Sequence, residues 1–401
     1  MNVFVARQPI FDKRKKLYAY ELLFRTGTTN AFPDIDGTTA NTSLLSSTFF
    51  TVGIDEIAAG KLAFINFTEE LIAKGIPQLF PPEKLMVEIL EDVEPGSAVV
   101  NACRLLKEKG YSLALDDFVY SRQFDELLHL SDIIKIDFRL TSPEKIKEMV
   151  GTLKQFDCQL LAEKIETYEE FEAALALGFE YFQGYFFAKP EVLQNRDLST
   201  SQLTMLQLLS EINSADSEFD VEALEKLVSQ DISITYKLLK YINSSHFSRI
   251  KTISSVAQAI SYLGERGFRM FVSLIATSML AENKPGELVR ASIIRARLLE
   301  LIAIECRQDS NEMFLLGLFS FIDAMLDQPL ATILKKMPLS ANINTALSEK
   351  SGDLYPFLRL VEAYEQGNWV PFRFALKKIG LNEEKMTDFY LEAIAWADSF
   401  E

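Results

Sequence analysis

Histidine is nearly absent from this chain: 401 residues hold two, His129 and His246. A metal site built from several imidazoles is therefore excluded. His129, within FDELLHLSD (124–132), reads as a bland residue on an outer helix, and His246, within INSSHFSRI (242–250), as a polar surface or capping residue. Cysteine is scarce too. Cys103, Cys158 and Cys306 lie far apart with no CxxC pair, which excludes a disulfide framework and a thiolate zinc site and leaves buried thiols in a reducing cytoplasm. No apolar run reaches the ~18 residues of a membrane span. The opening MNVFVARQPIFDKRKKLYAY has no uninterrupted apolar core and no small-residue cleavage site, so no signal peptide and a cytoplasmic location are expected. Basic charge is in deficit: 41 Lys and Arg face 57 Asp and Glu, a net charge of −16. That argues against a generic nucleic-acid binder, DNA included, because phosphate backbones require basic surface. A nucleotide held through metal ions stays compatible with it.

What is present is apolar material and a pattern. Hydrophobic residues make up 48% of the chain, and its length suits two domains or more. Short runs rich in β-branched or aromatic residues recur through the first half: LYAYELLFR (17–25), LAFINF (62–67), LMVEIL (85–90), SLALDDF (112–118), DIIKIDF (132–138), QLLAEKI (159–165) and YFQGYFF (181–187). Most are separated by stretches of helical pattern. Strand–helix alternation implies a parallel sheet, and repeated this often it predicts a closed α/β barrel of the TIM type. Such barrels carry their chemistry at the strand C-termini.

The texture changes after QGYFFAKP (183–190). The polar stretch 191–200 reads as a linker between a barrel of residues 1–190 and an all-helical domain of residues 201–401. Helical periodicity is expected over 219–231, with Asp220 as N-cap, and over 234–245, 255–264, 267–280, 287–308 and 311–326. Gly264 and Gly267 bracket an expected helix–helix turn, and two or three further helices follow SGDLYP (351–356). There is no internal repeat and no low-complexity tract.

Each predicted barrel strand carries a polar residue where an apolar one would be the bland choice. The candidates are Glu21, Asn66, Glu88, Asp116, Asp117, Lys135, Asp137, Glu163, Glu166 and Gln183. Crowded carboxylates repel unless a cation sits among them, and an oxygen-only donor set suits Mg²⁺ or Mn²⁺. An adjacent Asp pair suits two metals, with one carboxylate bridging, as in two-metal phosphodiester hydrolysis. Taken singly, a Glu at a strand end is a solvated loop residue, Asp116–Asp117 is a helix N-cap and Lys135 is a surface lysine. Glu91 reads as surface, and Asp137 and Glu166 as surface or supporting groups. Arg25, four residues after Glu21 and past the expected strand end, is placed to meet a ligand phosphate. Independent loop residues have no reason to follow successive strands in register, and the conjunction favours a metal site.

These motifs resemble the EAL domain, the cyclic-di-GMP phosphodiesterase family. ELLFR (21–25) is similar to its ExLxR signature; FINF (64–67), VEILE (87–91), LDDF (115–118), KID (135–137), AEKIET (162–167) and QGYFFAKP (183–190) follow in the family's order. The resemblance implies a modified TIM barrel with one antiparallel strand, VFVARQPI (3–10) or its neighbour. It implies that Glu21, Asn66, Glu88 and Asp116 hold one metal and that Asp116 and Asp117 share a second. Lys135 and Glu163 would align and activate water, Gln183 would support the site, and Arg25 and Glu166 would contact the dinucleotide. The product would be linear pGpG. Pairing into a homodimer through the segment after the Asp pair is also implied.

Three departures stand out. The segment after the Asp pair reads DDFVYSRQ (116–123), without the family's glycines; Lys164 replaces the glycine of AEGxE; Leu22 replaces a small alanine. Glycine permits backbone conformations that Val119 and Tyr120 resist. A metal-dependent phosphodiesterase, a cyclic-di-GMP sensor without turnover and a protein-interaction scaffold all remain open, as does, less well matched, another barrel enzyme acting on a sugar phosphate or carboxylate. The second half, over ALEKLVSQDISITYKLLKYINSS (223–245) and ISSVAQAISYLGERGFRMFVSL (253–274), resembles the HDOD domain, a relative of the HD hydrolases. Ser320 and Phe321 stand where those hydrolases have a His–Asp pair. Too few histidines remain for that chemistry, so a non-catalytic output role toward a protein partner is expected.

Overall fold

The computed structural model describes residues 4–25, 53–190, 198–213, 238, 242–243, 253, 255–337 and 339–398. Asp220, His246 and the helices expected over 219–231 and 234–245 lie outside the described residues, apart from Leu238, Ile242 and Asn243. Two compact units divide the chain: Met1–Phe187 with Glu365–Gly367, and Ala188–Tyr364 with Asn368–Glu401.

The first unit is a closed barrel of eight strands in chain order. They are β1 (Phe4–Asp12), β2 (Leu17–Arg25), β3 (Leu62–Phe67), β4 (Leu85–Ile89), β5 (Ser112–Leu115), β6 (Ile133–Asp137), β7 (Gln159–Glu163) and β8 (Tyr181–Gln183). β1 runs antiparallel to both β2 and β8, and all other pairs are parallel. The antiparallel start has a local cause. Asp12 Oδ1 accepts from the N–H groups of Arg14 and Lys16, folding a tight turn that sends β2 back along β1. From β4 to β8 each crossover contains a helix: α1 (Ser97–Glu108), α2 (Asp125–Leu130), α3 (Pro143–Leu153) and α4 (Tyr168–Leu177). In α1 the buried positions Val99, Val100, Cys103 and Leu106 form one stripe at helical spacing. Ser142 and Thr167 cap α3 and α4 by accepting from the N–H groups of Lys145 and Glu170.

One layer of side chains, Ile10, Ala19, Phe64, Met86, Ala114, Ile133 and Leu161, fills the barrel, with Tyr18, Leu62 and Tyr181 packed against it. Strands β5 and β8 are shorter than their apolar runs. β5 ends at Leu115, before the Asp pair, and β8 ends at Gln183, because Gly184 turns the chain at φ 143° into a 3₁₀ turn over Tyr185–Ala188.

The described part of the second unit is helical: α5 (Thr200–Asn213), α6 (Val256–Leu280), α7 (Gly286–Cys306), α8 (Ser310–Phe319), α9 (Tyr355–Glu365), α10 (Trp369–Ile379) and α11 (Lys385–Asp398), with shorter helices between. α6 is broken at Gly264 (φ 68°, ψ 177°), at the glycine-marked turn the sequence predicts. α7 and α8 cross closely at Gly317, where a Cβ would lie 2.6 Å from the Ala296 backbone. Among the described residues no helix is long and apolar enough to cross a membrane.

Candidate functional site

The site follows from the apolar layer and the two-residue period of a strand. Two positions beyond Ala19, Phe64, Met86, Ala114, Ile133, Leu161 and Tyr181, the same inward face presents Glu21, Asn66, Glu88, Asp116, Lys135, Glu163 and Gln183. The polar candidates thus form the next layer up, at the C-terminal mouth. β1 runs the other way, so its residue in this layer lies two before Ile10. That residue is Gln8, which pairs with Glu21 in register and whose Oε1 accepts from Gln183 Nε2 at 3.0 Å. Gln8 is absent from the sequence-derived candidates. The signal for it was the antiparallel sense of β1, which reverses the counting.

Lys135 is fully buried, not the surface lysine its isolated reading suggests. Its Nζ lies 2.7 Å from Glu88 Oε1, 2.7 Å from Asp116 Oδ1, 3.0 Å from Glu163 Oε1 and 3.3 Å from Glu21 Oε2. A buried ammonium is costly without partners of opposite charge, and four carboxylates supply them. Glu21 is fixed further by Gln183 Nε2, donating to Oε2 at 2.6 Å, and by Asn66 Nδ2, donating to Oε1 at 3.1 Å. Asp116 is held by its own N–H to the Ile89 carbonyl at 3.0 Å, and the next turn by Phe118 N–H to the Lys135 carbonyl at 3.0 Å. Asp116–Asp117 is no helix N-cap: Asp117 is left-handed at φ 40°, a conformation Asp tolerates better than most residues. Val119 and Tyr120 avoid positive φ, so the glycine-free segment closes with its strain at Asp117 alone.

One ammonium does not neutralise this cluster. Burial, then the charge of Glu21, pushes the Glu88 carboxyl well above the ordinary carboxylate range despite Lys135. Burial pushes Glu163 up as well, with Lys135 opposing and Asp116 and Glu21 reinforcing. Asp117 is raised by burial and by Asp116. Burial alone would lower the Lys135 pKa, but Asp116, Glu163, Glu21 and Glu88 together hold it well above the ordinary lysine value. Oxygens are also left over. Asn66 Oδ1, Glu88 Oε2, Glu163 Oε2 and Gln183 Oε1 are buried with no hydrogen-bond partner. Buried acceptors of this kind are rare in folded proteins and call for an explanation. Asp116, Asp117 and Glu163 each offer an oxygen within 4.8 Å of the others. Excess negative charge, unpartnered buried oxygens and an oxygen-only donor set fit a hard divalent cation.

The remaining candidates sit around this core. Asp137 accepts from the N–H of Leu140 at 2.9 Å, from the N–H of Arg139 and from Lys164 Nζ. Burial would raise its pKa, but the Lys164 bond and these N–H groups hold it below the ordinary value. Lys164 adopts φ 57° and also lies 3.6 Å from Asp117 Oδ1. Arg25 is the last residue of β2, in register with Phe4, so it belongs to the strand and not to a loop past its end. Glu166 is exposed in the loop after β7, 3.6 Å from Arg139, and Glu91 is exposed. His129 is exposed on α2, edge-on to Phe156 at 4.9 Å between ring centroids. In the helical unit, buried Arg295 donates to Ser320 Oγ at 2.9 Å and lies 3.8 Å from the Phe321 ring centroid. A guanidinium therefore meets a hydroxyl and a ring at Ser320 and Phe321.

Two domain models match this chain. The EAL domain model matches residues 41–190 and the HDOD domain model residues 199–329. The chain is 35% identical over 407 residues to an uncharacterized protein, YuxH, of Bacillus subtilis, covering 99% of this chain and 98% of that one. It is 37% identical over 401 residues to the cyclic di-GMP phosphodiesterase CdgJ of Vibrio cholerae, covering 99% and 92%. A solved EAL domain protein of Listeria monocytogenes is 24% identical, with a TM-score of 0.36, covering 46% of this chain and 87% of that one. With both domain models matched in order, and relatives of this identity aligned nearly end to end, the chain belongs to the family of proteins that join an EAL domain to an HDOD domain.

Proposed function

We propose that this chain hydrolyses cyclic di-GMP to linear pGpG at the mouth of the barrel and passes the state of that site to a protein partner through its helical half. The observation that carries the reading is the ring of inward polar residues around Lys135, with Asn66, Glu88, Glu163 and Gln183 each holding a buried oxygen without a partner. The 37% identity to a cyclic di-GMP phosphodiesterase across both domains supports it. Glu21, Asn66, Glu88, Asp116 and Asp117 are the residues to hold two divalent cations, Mg²⁺ or Mn²⁺. Bound there, the ions would lower the pKa of water and stabilise the leaving oxygen. Glu163, already raised in pKa by its burial, is suited to take the proton of the attacking water. Lys135 holds four carboxylates in place and offsets their charge. Gln183 fixes Glu21, while Arg25 and Glu166 are the proposed dinucleotide contacts. The water oxygen bonds to phosphorus, the bond from phosphorus to the 3′ oxygen breaks, and that oxygen takes up a proton.

In this reading residues 1–190 form the catalytic barrel, 191–200 the linker and 201–401 the output domain, in a cytoplasmic protein that pairs as a homodimer. A second reading, binding without turnover, is favoured by one feature. The segment after the Asp pair lacks glycine and is pinned by buried Phe118 and by Tyr120 OH donating to Asp125 at 3.2 Å. One experiment separates the two: the purified chain is incubated with cyclic di-GMP and Mn²⁺ or Mg²⁺, products are resolved by chromatography, and binding is followed by calorimetry. Appearance of pGpG that a chelator abolishes supports hydrolysis. Tight binding without product supports the sensor. Neither binding nor product rejects both.

A further inference from the structure

We infer that Lys164 is a built-in rival for the second cation at Asp117, so that the resting chain holds one divalent ion firmly and admits the second only when this side chain swings away. The inference rests on the metal-site reading above and concerns how that site is loaded.

Three observations lead to it. Lys164 has φ 57°, a left-handed conformation that a long side chain adopts at some cost and glycine adopts freely. The position is therefore one that glycine would fill without strain, and a lysine there needs compensation. Its ammonium supplies it, pairing with Asp137 Oδ2 and lying 3.6 Å from Asp117 Oδ1, while its carbonyl accepts from Arg139 Nε at 3.3 Å. Arg139 is itself anchored on Glu170 at 2.7 Å, so the loop holding Lys164 is tied down from the neighbouring strand end.

Second, the oxygens Lys164 competes for belong to a group that is ready for a cation. Asp116, Asp117 and Glu163 offer oxygens within 4.8 Å of one another, and Glu163 Oε2 is buried without a hydrogen-bond partner. Third, the two lysines differ in freedom. The Lys135 side chain is 0% exposed and cannot leave, whereas that of Lys164 is 51% exposed and can reach solvent by rotation about its stem. Lys135 is thus a permanent charge of the site and Lys164 a removable one. A cation beside Asp117 meets the repulsion of the ammonium, or else spends binding energy to break its pairs with Asp137 and Asp117.

The test is Mn²⁺ titration of the full chain, without nucleotide, followed by calorimetry and by electron paramagnetic resonance, which reports coupling between two neighbouring Mn²⁺ ions. In the wild type one equivalent binds tightly and the second weakly, with no coupled signal at stoichiometric metal. Lys164→Met removes the charge but keeps the stem, and Lys164→Gly also relieves the backbone. Both are expected to tighten the second equivalent by on the order of tenfold or more and to bring the coupled signal to stoichiometric metal. Lys164→Arg keeps the charge and is expected to behave as the wild type. An unchanged second equivalent in both charge-removing variants, with the first retained, overturns the role of Lys164 and leaves the metal site standing. Failure of the wild type and all variants, each with a cooperative melt, to bind even one equivalent overturns both.

Discussion

The barrel mouth and the Ser320–Phe321 corner of the helical unit each bury a cationic side chain, and they handle it in opposite ways. At the mouth, Lys135 meets four carboxylates, and acceptor oxygens remain unused. In the helical unit, Arg295 meets a hydroxyl and the face of a ring. The first arrangement has more negative charge than its own cation can balance and is open to another cation. The second packs its guanidinium against a hydroxyl and an aromatic ring. Having a polar group in the right place is therefore not what marks a working site; acceptors left unpaired after the chain has made its own bonds are the better sign.

The comparison can be broken most sharply at Glu21. Its carboxylate joins Lys135, Asn66 and Gln183, so Glu21→Ala removes a proposed metal ligand and three partners at once. Steady-state hydrolysis of cyclic di-GMP is expected to fall by more than the roughly 10- to 100-fold typical of residues that merely support a ligand. Ser320→Ala, at the helical corner, is expected to leave that rate unchanged.

Two matched glycine substitutions sharpen it. A Cβ on Gly184 would lie 2.1 Å from the Ile165 carbonyl oxygen, at φ 143°. The Ile165 N–H in turn donates to the Gln183 carbonyl at 2.9 Å. Gly184→Ala is expected to cost roughly 3 kcal/mol in denaturant unfolding and to lower hydrolysis per folded chain, because Glu163 and Gln183 flank the strained turn. Gly317→Ala forces the α7–α8 crossing apart and is expected to cost about 1–3 kcal/mol while leaving hydrolysis per folded chain intact.

The pH dependence is smaller and has a definite sign. Glu88 and Glu163 are raised above their ordinary value of 4.5 in the folded state. Between that value and the folded one the native chain binds more protons than the unfolded chain, so this contribution is full below 4.5 and is lost as pH rises. Asp137 acts in reverse, its contribution being lost as pH falls below the ordinary 3.8. Melting curves of the metal-free chain are expected to lose stability from pH 4.5 upward, and Glu88→Gln is expected to flatten that slope. The smallest effect belongs to His129→Ala: exposed on an outer helix, it is expected to change stability by less than about 0.5 kcal/mol.

Much of this was legible in the sequence, for a physical reason. A polar residue interrupting a β-rich run is conspicuous, and a barrel aligns the ends of successive strands, so Glu21, Asn66, Glu88, Asp116, Lys135, Glu163 and Gln183 came together as their order implied. Gln8 did not stand out because its strand runs backwards, which places its site residue before the apolar one. The burial of Lys135 was hidden because a lone lysine at a strand end looks solvated until its partners close around it. Lys164 was visible as a departure from a glycine, but the acids it joins, Asp117 and Asp137, come from two other strand ends that only the closed barrel brings near. Arg25 stands past the apolar stretch of its run, yet it pairs with Phe4 as the last residue of β2.

The most direct test is anomalous diffraction from crystals of the full chain soaked in Mn²⁺. The predicted result is a strong peak among Glu21, Asn66, Glu88 and Asp116, a weaker one beside Asp117 at the highest Mn²⁺, and none beside Arg295, Ser320 and Phe321. An empty barrel mouth at saturating Mn²⁺, or a peak in the helical unit instead, would contradict it.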